Sequence, residues 1–173
     1  MSNIRLIGLE SIKIGEITAT KAMGTGASIS TIVAIVPDSA HLIFESPGVT
    51  DLYVEEEDLP DIQILGTAKK TLEFATRDMG TKILIEAFGG HAATTVWSMA
   101  VTSMVAEERC VEALSKAYNG YKMLIQIPRA SFKAGADLRF TKTESGQISF
   151  ACDVMIPASS VQISPMVIKQ VAE

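Results

Sequence analysis

The sequence predicts a mainly β protein with antiparallel strands and one short α-helix. Three stretches between residues 119 and 157 alternate apolar and polar side chains, which is the period of a strand with one buried face. Asn119-Gly120, just before the first stretch, is a hairpin-turn signal because both residues tolerate positive φ. The segment of about Asp78–Phe88 has apolar residues at the three-to-four spacing of an amphipathic helix and is the best helix candidate in the chain.

The three alternating stretches define an antiparallel meander with one side on a core. Their apolar positions are Tyr121, Met123, Ile125 and Ile127, then Ala136, Leu138 and Phe140, then Ile148, Phe150, Cys152, Val154 and Ile156. Lys133-Ala134-Gly135 and Glu144-Ser145-Gly146 predict turns between them. Cys152 has the buried parity, so we expect it to be a small core residue.

The first half of the chain predicts short strands separated by turns, within a single domain that spans residues 1–173. The strand segments are Ile4–Leu9, Ile12–Ile17, Ile32–Val36, Leu42–Phe44, Leu52–Val54, Ile62–Leu65 and Lys70–Thr76. Breaks are predicted at Gly15 and at Ser46-Pro47-Gly48, and a loop at Thr18–Ser30. The region 39–61 is predicted to be a hairpin that stands away from the main sheet.

The middle of the chain combines the helix with two further segments. Thr76 or Asp78 is expected to cap the helix, and Gly89-Gly90 to end it. Thr94–Met104 alternates as a strand, with Trp97 facing the core or a neighbouring subunit. Glu107–Ala117 has the composition of a helix, but it also fits a strand paired with the segment that follows; the residues alone leave both alternatives open.

Composition limits the classes of partner. The net charge is −5 and the basic residues are interspersed with acidic ones, which argues against tight nucleic-acid binding. Hydrophobic residues make up 47% of the chain and charged ones 20%, so we expect apolar surface to be buried against other subunits; a well-filled core is the alternative. Because no apolar run approaches the roughly 20 residues of a membrane span, we expect no membrane partner. No signal peptide is visible and the two cysteines form no motif, so we expect the chain to be made and kept in a reducing cytoplasm.

No pattern predicts a catalytic residue, a metal site or a cofactor. His41 and His91 are far in sequence from both cysteines and have no zinc-ligand spacing. The acidic run Glu55–Asp58 has the carboxylates that a divalent cation prefers. Consecutive carboxylates on an extended chain point to alternate sides, however, so a solvated tip is the favoured interpretation. A small β-barrel enzyme or ligand-binding domain remains an alternative, without a pocket to assign to it.

The element order from Lys70 to Pro157 resembles a known family. The landmarks are the strand end Phe74-Ala75-Thr76, the helix end Phe88-Gly89-Gly90, a strand with Trp97, the hairpin at Asn119-Gly120, the segment Ile125–Ala130 and the closing strand Val154–Pro157. This layout resembles the tail tube proteins of tailed bacteriophages, which are similar to the inner-tube proteins of contractile injection systems. The resemblance favours the strand alternative for Glu107–Ala117.

The resemblance implies a two-sheet β-barrel or sandwich with one flanking helix, and a structural rather than enzymatic role. It implies hexameric rings whose inner sheets join into a continuous barrel and that stack into a tube. The expected partners are further copies of the chain, other tail proteins, and double-stranded DNA that passes through the lumen without specific binding. The expected location is the virion tail, and the host cytoplasm during assembly. A head–tail joining protein, or the inner-tube subunit of a secretion or injection system, is the alternative.

The candidate self-association residues fall in two groups. Leu52, Tyr53 and Val54 belong to the predicted hairpin, which we expect to mediate stacking. Leu124 and Met155 lie on the less buried sides of their strands but are less polar than water-facing positions should be. If the chain forms a tube, a neighbouring subunit covers them or they line the channel.

Overall fold

The structure, a computed structural model, describes residues 8–18, 23, 29–53, 62–99, 107–140, 145–157 and 164–173. Within these ranges the fold is mainly β and antiparallel with one short helix, as predicted, and it is consistent with a sandwich. The elements are β1 (Leu9–Glu16), β2 (Ile29–Ile32), β3 (His41–Phe44), β4 (Val49–Leu52), β5 (Ile62–Leu65), β6 (Lys70–Thr76), α1 (Thr81–Phe88), β7 (His91–Ala93), β8 (Val96–Ser98), β9 (Glu107–Ser115), β10 (Tyr121–Phe140), β11 (Ser145–Val154) and β12 (Val167–Ala172).

Eight strands form one antiparallel main sheet. Its order is β2-β1-β9-β10-β11-β6-β3, and β12 lies beside the first half of β10. The long strand β10 organises this sheet, because its first half pairs with β9 and β12 and its second half pairs with β11. The other described strands form two separate two-stranded sheets, β4-β5 and β7-β8.

The two ends of the main sheet approach each other just after β2. Ile35 forms an antiparallel bridge with Thr76 of β6. Ala34 has a φ of 53°, which turns the chain away from β1, so only Ile32 of the predicted strand Ile32–Val36 lies in β2 and that prediction is wrong. The described strands do not close into a barrel, but this bridge brings the ends of the sheet together around one apolar core.

The alternation of buried residues along β10 changes phase in its middle. Ile127 is fully buried before this point and Ala130 after it. The register against β9 shifts between these two residues, so Pro128-Arg129 forms a β-bulge. The predicted turn at Lys133–Gly135 is therefore wrong: β10 continues through it, and the bulge accounts for the change of parity.

The segment after residue 106 is the strand β9, which confirms the strand alternative. Both of its edges are paired, one with β1 and one with β10, and Val111 and Ala113 are buried. Tertiary pairing therefore overrides the local helix propensity. The predicted hairpin turn follows, with φ of 51° at Asn119 and 76° at Gly120, as a type I′ turn requires.

Helix α1 begins slightly later than predicted. Gly80 is its N-cap and makes no side-chain capping bond. Neither Asp78 nor Thr76 is therefore the predicted cap. The Asp78 side chain accepts a hydrogen bond from the Gly80 amide at 2.8 Å, just before the helix begins, and the Thr76 hydroxyl donates to a backbone carbonyl. The helix ends at Phe88, as predicted, and Ile83 anchors it to the core.

The predicted strand Thr94–Met104 is not formed as one element. Thr94, at φ 53°, lies in the turn between β7 and β8, and the last part of the predicted strand, residues 100–104, lies outside the described residues. Trp97 is half-buried, donates from Nε1 to the Gly89 carbonyl at 2.8 Å, and stacks obliquely 6.2 Å from Phe88. Trp97 therefore covers the end of α1 rather than facing the core.

Both ends of the described chain add strands to the main sheet. Gly15, predicted as a break, lies inside β1 and pairs with β2 and β9. Ile29 and Ser30, predicted as the end of the loop Thr18–Ser30, belong to β2 instead. Most of the rest of that loop, and residues 4–7 of the predicted strand Ile4–Leu9, lie outside the described residues. The apolar tail Pro165–Glu173 contributes the edge strand β12.

Candidate self-association surface

Exposed apolar side chains are concentrated on β4 and β5, which we call the ribbon. All eight of its residues are exposed. The large apolar side chains on the ribbon and beside it, with their exposed fractions, are Val49 53%, Leu52 46%, Tyr53 61%, Ile62 53%, Ile64 52% and Leu65 67%. A two-stranded sheet alone is marginally stable in water, and an exposed apolar patch of this kind marks an interaction site.

The two faces of the ribbon differ in polarity. Leu52 is paired with Ile62, and the neighbouring Thr50 with Ile64. Paired residues of an antiparallel ladder lie on the same face, and residues two apart share that face. One face therefore carries Leu52, Ile62 and Ile64, and we call it the apolar face. On the other face, the pair Asp51 and Gln63 interrupts the apolar surface.

The bounds of the excursion differ from the predicted region 39–61. Its first strand, β3, is not separate, because it pairs with β6 in the main sheet. The ribbon also includes β5, which lies beyond residue 61. The predicted turn Ser46–Gly48 is not formed; these residues connect β3 to β4 without turn or strand structure.

The candidate residues divide between the ribbon and the main sheet. Leu52 lies on the ribbon and Tyr53 directly follows it, whereas Val54 lies outside the described residues. Leu124 is half-buried on β10, and Met155 is half-buried just after β11, where its amide donates to the Arg129 carbonyl at 2.9 Å. The structure thus joins the first two residues in one surface and places Leu124 and Met155 elsewhere.

Four apolar members of the ribbon surface were missed as candidates: Val49, Ile62, Ile64 and Leu65. The alternation predicts a strand at Ile62–Leu65 and none at Val49, and it does not reveal which strand pairs with which. The available signal was the acidic run Glu55–Asp58, which sits between two apolar segments as the tip of a hairpin does.

A second surface is the open edge of a four-stranded part of the main sheet. We call this part the strip; it consists of β1, β9, the first half of β10, and β12. One residue from each strand forms a row across it, and each pairs with the next: Ile12, Ala113, Ile125 and Ile168. Within the described residues β12 pairs on one side only, and its Ile168 is 43% exposed. A free edge of this kind recruits another strand.

The solvent-facing side of the strip carries paired charges. Lys13 Nζ lies 3.2 Å from Glu112 Oε1, and Gln126 Nε2 donates to Glu112 Oε2 at 2.9 Å. Lys122 Nζ lies 2.7 Å from Glu10, and its hydrogen bond to that carboxylate raises the pKa of Lys122. These lysines are thus compensated by carboxylates on the same surface.

Residue types that carry catalysis or bind metals are dispersed in the described part of the chain. No three His, Cys, Asp or Glu side chains in that part are grouped to hold a metal ion. His41 and His91 are exposed on different sheets. Cys152 is fully buried, as expected, and burial raises the pKa of its thiol, so it is a poor nucleophile. The acidic run Glu55–Asp58 lies outside the described residues.

Comparison with known proteins adds no family assignment. None of the described helices is long and apolar enough to cross a membrane. No protein-family model matches the chain, and a search of curated proteins found no match.

Proposed function

We propose that this chain is the structural subunit of a phage tail tube, which assembles into hexameric rings that stack into a hollow tube. The observation that carries the proposal is the strip. Its four strands alternate in direction, and β12 ends it with an edge that has no partner among the described strands. In a ring, β1 of the next copy would lie beside β12 and run in the opposite direction. The antiparallel pairing would then continue from one subunit to the next.

The edges needed for this ring are partly free in the single chain. The pairing of β2 on β1 begins at Ile12, which leaves Leu9–Ser11 of β1 without a β2 partner. At the other end of the strip, β12 offers six residues. Pairing Leu9–Ser11 of one copy with β12 of the next would cover part of both edges, and exposed edge strands tend to recruit such a partner. The resemblance supplies the number of six copies.

The ribbon supports stacking of one ring on the next. Leu52, Ile62 and Ile64 are each about half exposed and lie on one face. Covering the exposed half of such a side chain contributes roughly 1 kcal/mol. Repeated around a ring, this contribution suits a contact that forms between rings but leaves the single subunit soluble.

The charge pattern is compatible with passage of DNA. The chain has a net charge of −5, and Lys13 and Lys122 of the strip are paired with glutamates. Tight binding of DNA requires unpaired cations that neutralise phosphates. A tube built from this chain therefore conducts the polyanion without holding it.

Negative-stain electron microscopy of the purified protein at increasing concentration tests the proposal. We expect rings or tubes with a central hole. Rings that never stack would favour the head–tail joining alternative, because such a protein acts as a single ring. A monomer at every concentration would overturn the proposal.

A further inference from the structure

The ribbon is the outer part of a longer hairpin that is interrupted near its base. β3 pairs with β6 up to Phe44 opposite Lys70, and β4 resumes against β5 with Val49 opposite Leu65. Four residues separate these pairs on each side, 45–48 and 66–69, so no residue is gained or lost across the interval. We call the interval the hinge.

The hydrogen-bond ladder is out of step across the hinge. Among these described residues, two backbone bonds cross it: Glu45 N–H to Lys69 O at 2.9 Å, and Gly66 N–H to Gly48 O at 2.7 Å. In one continuous antiparallel ladder every second residue of a strand is hydrogen-bonded, so the bonded residues would be all odd-numbered or all even-numbered. Here the residues of the first bond are odd-numbered and those of the second are even-numbered. Pro47, between them, has no N–H to donate. The two ladders are therefore separate, and the backbone between them bends more easily than a strand.

One ion pair ties the hinge to the main sheet. Lys69 Nζ lies 3.0 Å from Asp153 Oδ1 on β11. Asp153 also accepts a hydrogen bond from Thr71 of β6 at 2.9 Å and pairs with Lys133 of β10 at 2.6 Å. The carboxylate is thus fixed by the main sheet, whereas Lys69 is the member that belongs to the hinge.

We propose that the ribbon turns about this hinge when it docks on a second copy of the chain, and that the Lys69–Asp153 ion pair sets its angle in the free subunit. Only the docking partner rests on the proposed function; the hinge is a property of one subunit. Lys69 is 51% exposed, so its ion pair is weak enough to break during docking. Asp153 keeps its other contacts when this happens.

A distance between two spin labels measures the angle directly. Asp51→Cys places one label on the ribbon and Ser149→Cys places the other on β11; both positions are exposed. The native Cys110 and Cys152 are fully buried and stay unlabelled in the folded protein. In dispersed subunits, we expect pulsed electron paramagnetic resonance to show one narrow distance distribution.

Removing the ion pair should then widen this distribution. We expect Lys69→Met, which keeps the aliphatic stem, to broaden or shift the distance. The matched control Lys13→Met removes the ion pair to Glu112, away from the hinge, and should leave the distance unchanged. The same distribution in Lys69→Met and in the unsubstituted chain would overturn the role of the ion pair.

Stiffening the hinge tests the movement during docking. A Cβ at Gly48 would meet nothing within 4 Å, so Gly48→Val fits the free subunit while its branched side chain restricts the backbone. We expect slower polymer formation with a distance that stays narrow. Gly135→Val, at a strand glycine with equally open space, is the matched control. Unchanged polymerisation of Gly48→Val would overturn the movement. Failure of the unsubstituted chain to polymerise would count against the proposed function instead, and the distances would still test the hinge.

Discussion

The double variant Leu52→Asp/Tyr53→Glu separates folding from assembly. Both side chains contribute little to the folded subunit, since Leu52 is 46% and Tyr53 61% exposed. We therefore expect the free energy of unfolding to change by no more than about 0.5 kcal/mol. Leu52 lies on the apolar face, and covering its exposed part in a stack contributes roughly 1 kcal/mol. Losing about 1 kcal/mol in each contact weakens it roughly 5-fold.

Two measurements on the same preparations test this expectation. Urea unfolding should give the same midpoint for the variant and the unsubstituted chain. Sedimentation over a series of concentrations should give a critical concentration for polymer that is at least about 5-fold higher for the variant. Val96→Asp is the matched control, because Val96 is 60% exposed on the other two-stranded sheet. We expect it to assemble normally.

Unchanged polymer formation by the double variant would refute the role of the ribbon in stacking. A large loss of unfolding free energy would refute the premise as well, because it would mean that Leu52 and Tyr53 pack against their own subunit.

Three further predictions concern the core and the buried ionisable groups. Phe150→Ala should cost about 3–5 kcal/mol in urea unfolding, because its ring stacks at 5.0 Å on Phe74 and at 4.9 Å on Phe132; a cost below about 1 kcal/mol would contradict this packing. Burial raises the pKa of Asp153, but hydrogen bonds from two lysines and a threonine outweigh it and hold that pKa below the ordinary 3.8. The charged Asp153 side chain therefore contributes its full stabilisation above pH 3.8, and this contribution is lost as the pH falls through the lower pKa of the folded state. As the pH is lowered, the free energy of unfolding measured with urea should therefore fall less for Asp153→Asn than for the unsubstituted chain. Cys152 should react with a thiol reagent only after unfolding, and fast labelling of the native protein would contradict its burial.

Strand positions were predictable where one face of a strand meets the core and the other meets water. The period of two identified the buried side of β11 from Ile148 to Cys152. It also identified β6 over its whole length, although both faces of that strand are largely buried. The turn at Asn119-Gly120 was predictable because its backbone conformation requires these residue types. Ile156, assigned to the same buried side, is 77% exposed because β11 ends at Val154.

Pairing between distant segments was not predictable from local patterns. The sequence around Lys133–Gly135 has the composition of a turn, but long-range pairing with β11 keeps β10 extended there. The bulge at Pro128-Arg129 is likewise a feature of the register between β10 and β9. For the ribbon, alternation identified β5 as a strand, whereas its exposure depends on the absence of further pairing partners among the described strands.

The mass of the assembled species tests the central claim most directly. Native mass spectrometry of the protein at concentrations that produce rings should show a closed oligomer of six 18.5 kDa subunits, formed by joining β12 of each copy to β1 of the next. The same spectra of a chain truncated before β12 should show the monomer alone. A monomer at every concentration, or an open series of oligomers without a closed species, would contradict self-assembly into a ring.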